Sequence, residues 1–303
     1  MSSLMTNVSA MTALKSLQQT NSALETTQAR IATGYRVGEA SDNAAYWSIA
    51  TTMRSDNKAL GTVQDALGLG AAKVDVAYTG VNSAIDVVDE IKSKLVAARE
   101  PGVDKAKIQS EITQLQSQLT SIGASSSFNG ENWISVDSSA AGYSATETMV
   151  AGFTRDAAGA VSVSTIDVSK AGTALFDANA AADGILEQDI TLAAGTTTVA
   201  TISISAATTD ADLEAMISGV DTAIQSMTTA ASDLGSAKSR IDLQNNFVGN
   251  LMDAVDRGIG QLVDADMSAE STRLNALQVQ QQLGIQAMSI ANGNSQSILS
   301  LFR

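Results

Sequence analysis

Asp264 and Asp266 are the side chains whose type and spacing come nearest to general acid–base chemistry, and the rest of the chain gives them nothing to work with. The protein has no His and no Cys. That excludes imidazole bases, Ser-His-Asp triads, thiolate nucleophiles and the usual His and Cys zinc ligands together. A zinc-binding H-E-x-x-H motif is impossible for the same reason. Asp266 stands just before a helical pattern, where a carboxylate accepts hydrogen bonds from free backbone N–H groups, so a helix cap is the favoured reading of this pair. Met5, Met11, Met53, Met216, Met227, Met252, Met267 and Met288 fall largely on helical stripes and read as packing residues, not as a soft-metal site. No catalytic, cofactor-binding or metal residue is expected, no cofactor is implied, and the chain does not read as an enzyme.

Elements that would have to position chemistry point elsewhere as well. Hydrophobic residues make up 44% of the 303 positions, yet only 4% are aromatic and Pro occurs once. This is the composition of long helices packed through small side chains. A net charge of −14 argues against binding a phosphate backbone, so no nucleic-acid partner is expected. The charge is concentrated: residues 131–214 hold 12 acidic and 2 basic residues. No apolar run reaches the length of a membrane span, and Met1 to Asn7 carries no basic residue ahead of an apolar core, so neither membrane insertion nor a cleavable secretory signal is expected.

Apolar residues at Leu4, Val8, Met11, Leu14, Leu17, Leu24 and Ile31 recur at helical spacing and predict a first helix with one continuous stripe, ending at Gly34. Residues 34–44 read as an ordered loop, in which Gly34 meets a backbone need and Arg36 and Asp42 are candidates to pair and set its conformation. Helical patterns follow at about 45–99 and 104–123, separated by Pro101-Gly102, which stops a helix because Pro lacks the N–H donor. From Phe128-Asn129-Gly130 the texture turns to Gly, Ser, Thr and Ala, with strand-like runs at Val161–Thr165 and Val199–Ile204 and hairpin turns at 156–159 and 194–196. Helical periodicity returns at about Asp210, runs to Leu262, and resumes after Asp266. The fold class is mainly α, a long antiparallel helical bundle or coiled coil formed by both chain ends, with a small β-containing outer insert. Three parts are expected: an inner part of 1–44 with 263–303, a rod-like part of 45–130 with 210–262, and an outer part of 131–209.

Between Leu274 and Phe302 there is no charged residue, yet Gln and Asn are frequent. The segment is too polar for a bilayer. It is too apolar for a free surface, with Leu283, Ala287, Ile290, Ile298, Leu301 and Phe302 as packing positions that two thin helices do not fully cover. Many copies side by side are the simplest cover, with the polar side chains facing any lumen.

Both ends resemble bacterial flagellins. Arg30-Ile-Ala-Thr-Gly34-Tyr-Arg36 is similar to the family's R-L-S-S-G-x-R signature, and Ala40-Ser-Asp42-Asn-Ala-Ala45 to its A-x-D-D-A-A. Ser239-Arg240-Ile241, Asp264-Ala-Asp266, Gln280-Gln-Gln282 and the closing Ile298-Leu-Ser-Leu-Phe-Arg303 resemble the other end of the family pattern. The short insert and Tyr46-Trp47 look like the alphaproteobacterial type. The resemblance implies a structural subunit of the hollow extracellular flagellar filament, exported unfolded through the flagellar type III apparatus and serving motility. It implies as partners further copies of the chain, related flagellins, an export chaperone, and the junction and cap proteins of the filament. A hook-filament junction protein and a stalked surface adhesin are the alternatives.

Overall fold

The computed structural model describes residues 7–156, 158–179, 184–193 and 195–301, with side chains as far as residue 293. Five helices carry it: α1 (Val8–Thr33), α2 (Ala44–Ala97), α3 (Lys105–Ser125), α4 (Asp210–Val263) and α5 (Met267–Leu301). Each boundary has a local cause. Asn7 caps α1 by accepting from the Ala10 N–H, and Gly34 ends it in the left-handed conformation, at φ 74°, with its N–H on the Arg30 carbonyl. Asn43 accepts from Tyr46 at the start of α2, Asp104 from Ala106 at the start of α3, and Asp266 from Ser268 and Ala269 at the start of α5. Asp266 is therefore a helix cap, as its position ahead of the helical pattern predicts.

The chain divides into two compact units, Met1–Lys58 with Met252–Arg303, and Ala59–Leu251. In the second unit, α2 and α4 run antiparallel: Lys92 pairs with Asp221, and Asp75 with Lys238 further along. Their seam is filled by Leu67, Val74, Val81, Val88 and Leu95 from α2 and by Leu213, Val220, Met227, Leu234 and Ile241 from α4, every one of them buried. These positions repeat at sevens, the spacing that keeps one face of each helix toward its partner. Ile112 and Leu119 of α3 complete the core.

The insert is made of two-stranded pieces: β1 (Ser127–Phe128) with β2 (Glu131–Asn132), β3 (Ser135–Val136) with β6 (Phe176–Asp177) in parallel, β4 (Thr146–Arg155) with β5 (Val161–Ser169), and β7 (Ile190–Leu192) with β8 (Gly195–Thr197). Asn129 and Gly130, at φ 52° and 84°, form the first turn, as an Asn-Gly pair is suited to do. The predicted turn at 156–159 joins β4 to β5, with Gly159 at φ 87°. The predicted turn at 194–196 falls between β7 and β8, its Ala194 lying outside the described residues. One strand expectation fails. Val199–Thr201 is a 3-10 turn, and no strand follows it. The reason lies in its partners: Gln116 donates to the Val199 and Ile202 carbonyls, and Gln109 accepts from the Ile204 N–H, so α3 side chains take the groups a sheet would have used. The longer strand β4 is missed by alternation because Val150, Ala151 and Gly152 carry a register irregularity.

Candidate assembly interface

In the first unit α1 and α5 lie antiparallel. The Asn7 side chain donates to the Ala291 carbonyl at 2.9 Å, Gln281 to Asn21 at 2.8 Å, and Arg30 to Glu270 at 3.1 Å. The residues of α1 that lose exposure include Ala10, Ala13, Leu17, Thr20, Leu24, Thr27 and Ile31, with Ala23 and Arg30 flanking them. Those of α5 are Glu270, Leu274, Leu277, Gln281, Gly284, Met288 and Ala291. Both sets alternate in steps of three and four, the pattern of a coiled-coil seam. Leu17 rests on Gly284, where an added Cβ would meet its Cδ1 at 3.2 Å. The seam is built mostly from small or polar side chains.

Larger apolar side chains stand outside it. Val279, Leu283 and Ile290 of α5 are 54%, 58% and 66% exposed. Leu283 and Ile290 each follow a seam residue by two positions, about 200° round the helix, so α5 has a second apolar stripe on its far side. Val8 and Met11 of α1 are likewise turned out, at 69% and 63% exposed, and Leu14 flanks the seam. The single stripe expected on α1 thus splits: Leu17, Leu24 and Ile31 face α5, while Val8, Met11 and Leu14 do not. On α5, Leu283, Ala287 and Ile290 are all exposed. Leu4 and Phe302 lie outside the described residues, as do the side chains of Ile298 and Leu301. Met288, read from sequence as a packing methionine, lies in the seam, while Leu277 beside it is not among the sequence candidates, although its spacing to Leu274 and Gln281 was there to be read.

The loop from Gly34 to Asn43 is pinned to the end of α4. Arg36 and Val37 N–H groups both donate to the Val263 carbonyl, the Ala265 N–H donates to Gly34, and Tyr35 bridges to Asp264. Val37 packs into a small core with Ala50, Ile259 and Val263. Arg36 and Asp42 do not pair with each other. The Arg36 guanidinium donates to the Leu262 carbonyl at 3.0 Å, and Asp42 accepts from the Glu39 and Gly38 N–H groups at 3.1 and 2.9 Å. A backbone carbonyl satisfies Arg36 and backbone N–H donors satisfy Asp42 better here than an exposed ion pair would. Those N–H bonds, from Glu39 first and Gly38 next, hold the Asp42 carboxyl below its ordinary 3.8, so it stays ionised and committed to the loop rather than free to take up protons in catalysis. Arg54 lies over the Tyr35 ring at 5.1 Å and closes the loop's outer side.

Two long terminal helices paired with each other, with large apolar side chains left on their outer face, define a mainly helical protein with apolar surface outside its own pairing. Comparison with known proteins gives the family. Residues 4–138 match the model of the bacterial flagellin N-terminal helical region, and residues 217–302 that of the C-terminal helical region. Over its full length and theirs, the chain is 52% identical to flagellin C and 47% identical to flagellin A of Rhizobium meliloti (strain 1021). It is 46% identical to a flagellin of Brucella melitensis, again with both chains covered completely. The chain belongs to the bacterial flagellin family. It is a structural subunit of the extracellular flagellar filament. In keeping with this, no helix among the described residues is long and apolar enough to cross a membrane.

Proposed function

We propose that the far-side stripe of α5, together with Val8 and Met11 of α1, is the surface by which each subunit is packed into the filament. One observation carries this: α5 presents apolar side chains on two opposite sides, and α1 covers only one of them. Apolar area of this kind gains about 25 cal/mol per Å² when it leaves water. The seam, by contrast, contains Thr20, Thr27, Gln281 and Gly284, which gain little from burial. Leu17, Leu24, Leu277 and Met288 hold the pair within one chain, and the outer stripe is left for packing between chains.

On this reading the inner part, 1–44 with 263–303, lines a central channel, and its Gln and Asn side chains meet the water there. The parts 45–130 with 210–262, and 131–209, lie successively further out. Export proceeds with the chain unfolded, because α1 and α5 hold together poorly until neighbours cover them. An export chaperone would shield the uncharged stretch from Leu274 onward, and junction and cap proteins would meet it at the filament's two ends. The chain performs no catalysis.

Seeded elongation tests the reading. Monomer made by heating filaments is mixed with short seeds, and the full chain is compared with one ending at Arg273. Long hollow filaments in the electron microscope from the full chain alone are expected. Elongation by both would remove α5 from the packing surface, and elongation by neither would favour a junction protein or an adhesin.

A further inference from the structure

Four charged side chains from four stretches of the chain close into a ring where the insert meets α2. Lys73 of α2 pairs with Glu131 of β2 and, at 3.0 Å, with Glu147 of β4. Lys170, directly after β5, reaches Glu147 at 3.2 Å and Glu131 at 4.0 Å, so each ammonium group sees both carboxylates. The Lys170 side chain is 10% exposed and its ammonium lies 5.8 Å from the centre of the Tyr143 ring. The β4–β5 hairpin sits beside the ring on a thin apolar face: Met149, Ala151, Ile166 and Val168 are buried, and Met149 occupies the notch that Gly70 leaves in α2. From α4, Gln244 donates to the Ala151 carbonyl at 2.7 Å.

We propose that this ring is an acid-sensitive latch, which holds the β4–β5 hairpin on α2 near neutral pH and releases it when Glu147, the carboxylate on the hairpin itself, takes up a proton, while the helices stay packed. The ionisable groups facing one another are Lys73 from α2, Glu131 from β2, Glu147 from β4 and Lys170 from the end of β5, with Tyr143 against Lys170 and Asp177 beyond Tyr143. Gln244, the α4 side chain that reaches the hairpin, is uncharged and supplies no counter-ion. Protonating Glu147 leaves the two ammonium groups of Lys73 and Lys170 sharing a single carboxylate in a partly buried space, which is unfavourable until they separate.

The sign of the effect follows from the ring's own groups. Burial pushes the Glu147 carboxyl up, but hydrogen bonds from Lys73 and Lys170 and the charges of both outweigh it, and it stays below its ordinary 4.5. Its contribution is fully present above pH 4.5 and is lost as pH falls through the lowered value. Burial pushes Lys73 down, but Glu131 and Glu147 outweigh it and hold it above 10.5, so its contribution is present below pH 10.5 and lost only in stronger alkali. Within the intermediate range the latch is shut. The helices survive acid better because their joints are apolar, through residues such as Val74, Val81 and Leu95, all fully buried.

Hydrogen exchange of the full-length monomer, read by mass spectrometry and corrected for intrinsic rates between pH 7 and pH 3.5, tests this independently of filament assembly. Protection of β4–β5 is expected to fall about tenfold or more below pH 4.5 while peptides from the middle of α2 and α4 keep theirs. The Glu147→Gln variant is expected to show hairpin protection already reduced about tenfold at pH 7, with little further loss in acid. Two results would each overturn the proposal: wild-type hairpin and helices losing protection together, or a folded Glu147→Gln variant that titrates like wild type. If that variant does not fold, the wild-type titration decides alone.

Discussion

Ile290→Asp separates folding of the chain from its assembly. Ile290 is 66% exposed on the far side of α5, so in the isolated chain a carboxylate there meets water and costs only the helix-propensity difference of about half a kcal/mol. On the proposed packing the same position is covered in a filament. Burying an Ile side chain completely is worth about 1.5–3 kcal/mol, of which roughly two-thirds, about 1–2 kcal/mol, is still to be gained on assembly. The variant forfeits that gain and also strips water from an unpaired carboxylate, a cost of about 2–3 kcal/mol after local relaxation. The total is about 4 kcal/mol, which raises the critical concentration for elongation about a thousandfold, since about 1.4 kcal/mol is a factor of ten. Ile290→Ala, which loses the apolar gain alone, should raise it about tenfold. Seeded elongation followed by sedimentation across a monomer dilution series measures both, and far-ultraviolet circular dichroism confirms that the monomers keep their helices. Unchanged critical concentrations for both variants would show that this face of α5 remains in water within the filament, and the argument from its second stripe would be wrong.

Leu277→Ala acts on the opposite side of the same helix: Leu277 is 9% exposed in the seam, and its truncation should lower the α1–α5 unfolding free energy by about 2–4 kcal/mol, seen as faster amide exchange in both helices. Arg30→Met leaves Glu270, only 8% exposed, without its counter-ion, and should cost about 2–3 kcal/mol in the same exchange measurement. Gly34→Ala places a Cβ at φ 74°, and a loss of about 1 kcal/mol should appear as earlier thermal melting of α1. Exchange in α1 and α5 of the wild-type monomer should be fast beside that in α2 and α4, then slow sharply on joining a seed; full protection in the free monomer would refute the weak-seam reading.

Much of the helical architecture was legible because its signals are local. Asn7, Asp104 and Asp266 cap helices by reaching backbone groups two or three residues away, and Gly34 and Pro101-Gly102 stop them by backbone chemistry alone. The apolar faces of α2 and α4 were each visible as helical periodicity because a buried helix face tolerates little but apolar residues; that the two faces meet each other was not. The insert was less legible. Its strands pair in twos, β3 with β6 across forty residues of chain, and the Val199–Ile204 run meets Gln109 and Gln116 of α3 rather than another strand. Alternation reports that a segment has one dry side. It does not report what lies on that side.

The terminal helices fail to be read fully for a different physical reason. A periodicity search weights large apolar residues, so on α1 it joined Val8, Met11 and Leu14 to Leu17, Leu24 and Ile31 as one stripe. In the folded chain the two groups point in different directions, because the seam runs through Ala10, Ala13, Thr20 and Thr27, which such a search discounts. On α5 likewise the seam runs through Gln281 and Gly284 while Val279, Leu283 and Ile290 stand outside it. A chain selected only to fold by itself would put its largest apolar side chains in the internal joint, where they gain most from leaving water. Here Val8, Met11, Val279, Leu283 and Ile290 stay outside the joint although Leu17, Leu24, Leu277 and Met288 fill it, so on the proposed packing helix pairing within one subunit and packing between subunits draw on different residues of the same two helices. Substitutions in the seam should therefore change monomer stability with modest effect on critical concentration, and substitutions on the outer stripe should do the reverse.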